Sequence, residues 1–73
     1  MNKIEKIARK GWTITEIRFD KYQNFWYCGA AHDSGEAVAD GRSGESLAAA
    51  LDELCRNAND ATPAWYMAQL AAA

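Results

Sequence analysis

Hydrophobic positions recur along this chain with two different periods, and the change from one to the other divides it into elements. From Ser43 to Asn59, Leu47, Leu51, Leu54, Cys55 and Ala58 fall at offsets of four, seven, eight and eleven, which is one face of an α-helix. Ser43 stands where a cap accepts the free N–H groups of the first turn, with Glu45 toward the positive end of the helix dipole and Arg56 toward the negative end. Full burial of a leucine is worth about 1.5–3 kcal/mol, so this helix is expected to organise the fold. Upstream, Phe25 to His32 reads as a central strand and Asp33-Ser34-Gly35 as a tight hairpin with Gly35 left-handed. Glu36 to Asp40 then returns antiparallel. That loop pairs His32 with Glu36, Ala30 with Val38 and Cys28 with Asp40, so Trp26, Cys28, Ala30 and Val38 share the face toward the leucines.

In Trp12 to Phe19, Trp12 and Ile14 have the opposite parity from Ile17 and Phe19, and a bulge near Thr15 and Glu16 brings both pairs to one face. Asn2 to Lys10 is a short helix capped by Asn2, with Ile4, Ile7 and Ala8 on one side and Gly11 as its stop. Thr62 as cap and Pro63 at the first helical position open a last helix, Ala64 to about Ala71, carrying Trp65, Tyr66, Met67 and Leu70. The expected architecture is a single α+β domain over residues 1–73: short helix, three-stranded antiparallel sheet, long helix packed on one face, short C-terminal helix. The other sheet face then carries Phe25, Tyr27, Gly29 and Ala31 with Ala37 and Ala39 beside them. An apolar strip of that kind is expected to be covered by a second copy, a foreign partner or the chain's own C-terminus.

Composition changes this picture little and charge changes it more. A chain of 73 residues buries only about 60% of its unfolded surface, so pairing with another chain would add stability. No apolar run approaches the roughly 20 residues of a membrane helix and no signal peptide is legible, which makes a cytoplasmic protein the expectation, with Cys28 and Cys55 reduced. Net charge is −2, but through Tyr22 six basic residues face three acidic ones, while the remainder holds two against seven, so +3 is followed by −5. One histidine and two scattered cysteines do not supply a metal site, and neither a cofactor nor catalytic residues are expected. Cys28 and His32 lie about 13 Å apart on a strand, too far for a nucleophile pair. His32 beside Asp33 and Glu36 reads as a solvated charged group at a hairpin end. Gly41-Arg42-Ser43-Gly44 lacks the lysine of a phosphate-binding loop and reads as the turn entering the long helix.

The order helix, three antiparallel strands, helix, with Gly41-Arg42-Ser43 leading into an alanine-rich helix, resembles the double-stranded-RNA-binding domain over about the first 59 residues. Where that family has its lysine cluster, this chain has Gly44, Glu45 and Ser46. The segment AAHDSGEAVADGRSGESLAAALDEL resembles HicB-like antitoxin domains, which implies a homodimer. In length, acidity, alanine content and aromatic content the chain is similar to small phage and prophage accessory proteins, including anti-CRISPR inhibitors.

The expected function is a non-enzymatic interaction module, of the phage-encoded inhibitor kind, that binds a host or defence protein. Phe25, Tyr27, Trp65 and Tyr66 are its expected anchors. Asp33, Glu36 and Asp40 are expected to steer it to a basic, nucleic-acid-binding partner protein. The alternatives are an antitoxin-type homodimer with paired sheets and a nucleic-acid binder using Lys3, Lys6, Arg9, Lys10 and Arg42.

Overall fold

The computed structural model describes residues 2–72 as helix α1 (Lys3–Arg9), strands β1 (Trp12–Asp20), β2 (Phe25–His32) and β3 (Val38–Ser43), long helix α2 (Leu47–Ala61) and last helix α3 (Ala64–Ala72). The strands form one antiparallel sheet in the order β1-β2-β3, so the α+β architecture is the expected one. Helices α1 and α2 share one face of it. Between them and the sheet lies a core of Ile7, Trp12, Cys28, Ala30, Ala50, Leu54, Cys55 and Ala58.

Local chemistry sets the first half of the chain. The Asn2 side chain accepts the Glu5 N–H at 2.8 Å, and Gly11, at φ +91°, turns the chain out of α1. Between Ile14 and Glu16 the β1–β2 register shifts, as the parity of β1 requires. Ile14, Ile17 and Phe19 therefore stand opposite Ala30, Cys28 and Trp26 on the helix side. Asp20 accepts the N–H groups of Tyr22 and Gln23, and Asn24 takes the left-handed conformation at φ 58°, which closes the first hairpin.

The second hairpin differs from expectation by one residue. The His32 N–H reaches the Ala37 carbonyl at 2.9 Å, Ala30 pairs with Ala39, and Cys28 pairs with Gly41 rather than Asp40. Gly35 is left-handed as expected, at φ +79°, but Glu36 belongs to the loop, whose inner bonds run through the Ser34 hydroxyl to His32 Nδ1 and the Glu36 N–H. Because side chains alternate along a strand, this slip turns all of β3 over. Val38 faces solvent at 79% exposure, while Ala37 and Ala39 pack against the core. The reason lies under α2, whose backbone rests directly on Gly41: a Cβ there would collide with the Ala50 carbonyl and the Leu54 N–H. Close packing of the helix on a glycine outweighs the burial of one valine.

The same pairing corrects the start of α2. Arg42 and Ser43 are bonded to β2, so the cap is Ser46, which accepts the Ala49 N–H at 3.0 Å, and Ser43 instead organises the turn by accepting the Glu45 N–H at 3.0 Å. The helix meets the sheet along Ala50, Leu54 and Ala58. Leu47 and Leu51 are only partly buried, so the hydrophobic gain centres on Leu54 and not on three leucines. Thr62 does not cap α3. Its hydroxyl donates to the Ala58 carbonyl at 2.8 Å and accepts the Trp12 indole N–H at 2.9 Å, closing α2 and pinning Trp12, while the Pro63 carbonyl accepts the N–H groups of Tyr66 and Met67 in the first turn of α3.

Candidate functional site

The face of the sheet away from the helices is open, and two rows of side chains cross it. Glu16, Gly29 and Asp40 form one row, Arg18, Tyr27 and Arg42 the next, each with its middle member on β2. After the bulge the outward positions of β1 are Glu16, Arg18 and Asp20, and the β3 slip brings Asp40 and Arg42 outward in place of the expected Ala37 and Ala39. The face is thus amphoteric and aromatic, not a plain apolar strip.

Tyr27 lies back along its strand over Gly29. A Cβ at that glycine would sit 3.5 Å from Cε1 and from the hydroxyl of Tyr27, and 3.6 Å from Thr15 Oγ1. The guanidinium of Arg18 stands 5.0 Å from the ring centroid and that of Arg42 5.5 Å; Arg42 is also 5.9 Å from the ring of Phe25. Distances below about 6 Å make these cation–π contacts, worth about 0.5–1 kcal/mol each at an exposed site. Arg18 pairs with Glu16 at 2.8 Å and Arg42 approaches Asp40 at 3.9 Å, so each arginine is held between a carboxylate and a ring. Gly29 floors an open groove of about 330 Å³ walled by Glu16, Tyr27, Val38 and Asp40, and α3 contributes nothing to its lining.

The expected anchors and steering residues separate into two places. Phe25, Tyr27 and Asp40 meet on the open face, joined by Arg42, which the nucleic-acid alternative had grouped with the α1 lysines. Trp65, Tyr66, Asp33 and Glu36 lie at the β2–β3 hairpin end. There the Trp65 indole N–H donates to Glu36 at 2.9 Å and the Thr13 hydroxyl to Asp33 at 3.1 Å, so both carboxylates already have partners within the chain. Lys3, Lys6 and Arg9 are on α1 and Lys10 follows it, on the helix side; Lys3 pairs with Asp52 at 2.9 Å, and Lys10 donates to Asn59 at 2.7 Å. Arg18 and Glu16 belong to the site and were not singled out from the sequence. Their signal was the charged parity of β1 that the bulge leaves facing outward.

The groups most suited to covalent or acid–base work are engaged elsewhere. His32 is buried at 3% exposure, not solvated as expected. Its Nδ1 accepts from the Ser34 N–H at 3.2 Å, so Nε2 carries the proton and donates to the Lys10 carbonyl at 2.8 Å. Trp12 and Tyr66 meet its ring edge-on, with centroids 5.2 and 4.6 Å away. Cys28 and Cys55 are free and buried, and burial pushes both thiols above their ordinary range, Cys55 being raised further by Asp52. They remain protonated core residues near neutrality. Among the described residues no helix is long and apolar enough to cross a membrane. Comparison with protein-family models, curated proteins and solved structures finds no match to this chain.

Proposed function

We propose that this chain is a non-enzymatic interaction module that docks a protein partner on the open face of its sheet. The observation that carries this reading is Tyr27, laid flat over Gly29 and held between the guanidiniums of Arg18 and Arg42. A rigid aromatic whose rotamer is already fixed loses little entropy on binding, and Tyr and Arg are the residues in which binding energy concentrates. The mixture of carboxylates and guanidiniums suits a protein surface of mixed charge better than a phosphate backbone, which Glu16, Asp20 and Asp40 would repel. The resemblance to small phage and prophage inhibitors makes a host or defence protein the class of partner. His32 and both thiols are committed to the interior, which supports a binding role over a catalytic one.

The test compares tagged wild type with Tyr27→Ala and Arg42→Glu in pull-downs from cells of the source organism. A protein retained by wild type should be lost from both variants, with affinity down at least about thirtyfold, the equivalent of about 2 kcal/mol for an anchor, and with circular dichroism unchanged. Equal retention by the variants would refute the reading. Loss caused instead by Lys6→Glu and Lys10→Glu, together with nuclease sensitivity, would assign the chain to nucleic-acid binding.

A further inference from the structure

The outer strands of a sheet leave half their backbone groups unpaired, and this molecule treats its two edges differently. At the end of β2 the His32 N–H turns toward Ala37 and the Asp33 N–H toward Gly11, so by alternation Gly29 and Tyr27 bond to β1 and Cys28 bonds to β3. Their β1 partners, Glu16 and Arg18, bond inward, and Ile17 and Phe19 turn N–H and C=O outward. On β3 the outward carbonyl of Asp40 is taken by the Asn57 side chain at 2.7 Å, and α2 packs along the strand. The edge of β1 has no such cover. Among the described residues no loop, helix or side chain bonds to the Ile17 or Phe19 backbone, and Thr15 to Phe19 are exposed without a break.

We infer that this stretch of β1 pairs antiparallel with the same stretch of a second copy, about a two-fold axis at Ile17, joining two three-stranded sheets into one of six strands. The charges around that axis select the occupant, because the stretch is its own complement. With Ile17 opposite the second copy's Ile17, the two residues exchange both backbone bonds, Glu16 falls opposite the second copy's Arg18, and Arg18 opposite its Glu16. These charge pairs occupy the closer, non-hydrogen-bonded spacing of the ladder, where opposite charges stabilise and like charges destabilise. Arg18 already stands 2.8 Å from Glu16 of its own strand, so the four groups meet as a ring of alternating sign. The competing registers lack this match. A centre on Arg18 sets Arg18 against itself and Glu16 against Asp20, and a centre on Phe19 runs the pairing past Asp20, where the strand ends. On the helix side Ile17, 49% exposed, comes to lie beside its own copy with Phe19, 45% exposed, flanking it, so both gain cover. Assembly stops at two chains, because the bulge between Ile14 and Glu16 interrupts β1 and Asn57 closes the edge of β3. The pairing uses the edge of β1 and not Tyr27, so it does not rest on the partner-docking role.

Sedimentation equilibrium of the purified full chain tests it, at about 0.5 mM because a contact of one strand pair is small. Wild type should weigh twice the 8.1 kDa of the chain. Arg18→Glu and Glu16→Arg should each weigh one chain with circular dichroism unchanged, since each sets like charges across the axis. An equal mixture of the two, and the double variant carrying both changes, should return to the doubled mass, because each restores opposite charges at both positions. In wild type the Ile17 amide should exchange its hydrogen about fivefold more slowly as the chain is concentrated into the dimer, while the outward amide of Arg42 on β3 should not change. The two wild-type readings stand even where a variant fails to fold. A monomeric wild type at that concentration would overturn the pairing. So would a dimer indifferent to the single charge changes, a folded double variant that stays monomeric, or a dimer in which the Ile17 amide exchanges as fast as in the dilute chain.

Discussion

His32 is the residue on which the hairpin end of the molecule converges. Its ring joins four segments at once: Ser34 in the loop, the Lys10 carbonyl after α1, Trp12 at the start of β1 and Tyr66 on α3. Gly11 makes room for this arrangement, since a Cβ there would stand 2.8 Å from His32 Nε2 and 2.9 Å from the Tyr66 ring. Replacing His32 with alanine removes a buried ring and leaves the Lys10 carbonyl without its donor, at an expected cost of about 2–4 kcal/mol. Urea denaturation should show that loss, and tryptophan fluorescence should shift to the red as Trp65 and the first turn of α3 come free. An unchanged midpoint would mean that the ring only fills space.

At the scale of elements, the seam between β3 and α2 decides which surface the molecule presents. Gly41 has no side chain where the backbone of α2 crosses it, and in that register Asp40 and Arg42 point outward beside Tyr27. Gly41→Ala should therefore destabilise the fold by at least about 3 kcal/mol or prevent folding, as read from thermal unfolding, because the obstructing atoms are helix backbone and cannot rotate away. Wild-type stability would show the seam to be looser than described. Much of the architecture is legible in the sequence: the Asn2 cap, the bulge demanded by the parity of Trp12, Ile14, Ile17 and Phe19, the left-handed Gly35 and the apolar stripe of α2. The β3 register is not. Asp33-Ser34-Gly35 is compatible with loops of three or four residues, and the choice was made by a long-range contact, Gly41 against α2, that no local pattern encodes. Because the outward set of β3 depends on that choice, Phe25, Tyr27 and Asp40 could be named from the sequence while their union with Arg18, Glu16 and Arg42 could not. Thr62 and Ser43 were misplaced for a related reason: each was the best local cap, but a tertiary bond to Trp12 in one case and strand pairing in the other drew it to different work.

For the whole molecule, the sheet separates two surfaces of different character. The helix side carries the core, the basic residues of α1 and the half-exposed Ile17 and Phe19, and the open side carries the amphoteric rows around Tyr27. The eight core residues among those described are few for a domain in which α3 has no buried residue of its own, so part of the stability of the molecule is expected to come from what it binds. The central claim is that the open face receives the protein partner, and it is tested most directly by adding the partner captured by wild type to isotope-labelled chain and following the amide and side-chain resonances. Shifts should concentrate at Arg18, Phe25, Tyr27, Asp40 and Arg42, with α1 unmoved. Shifts confined to Lys3, Lys6, Arg9 and Lys10, or to α3, with Tyr27 unperturbed, would contradict it.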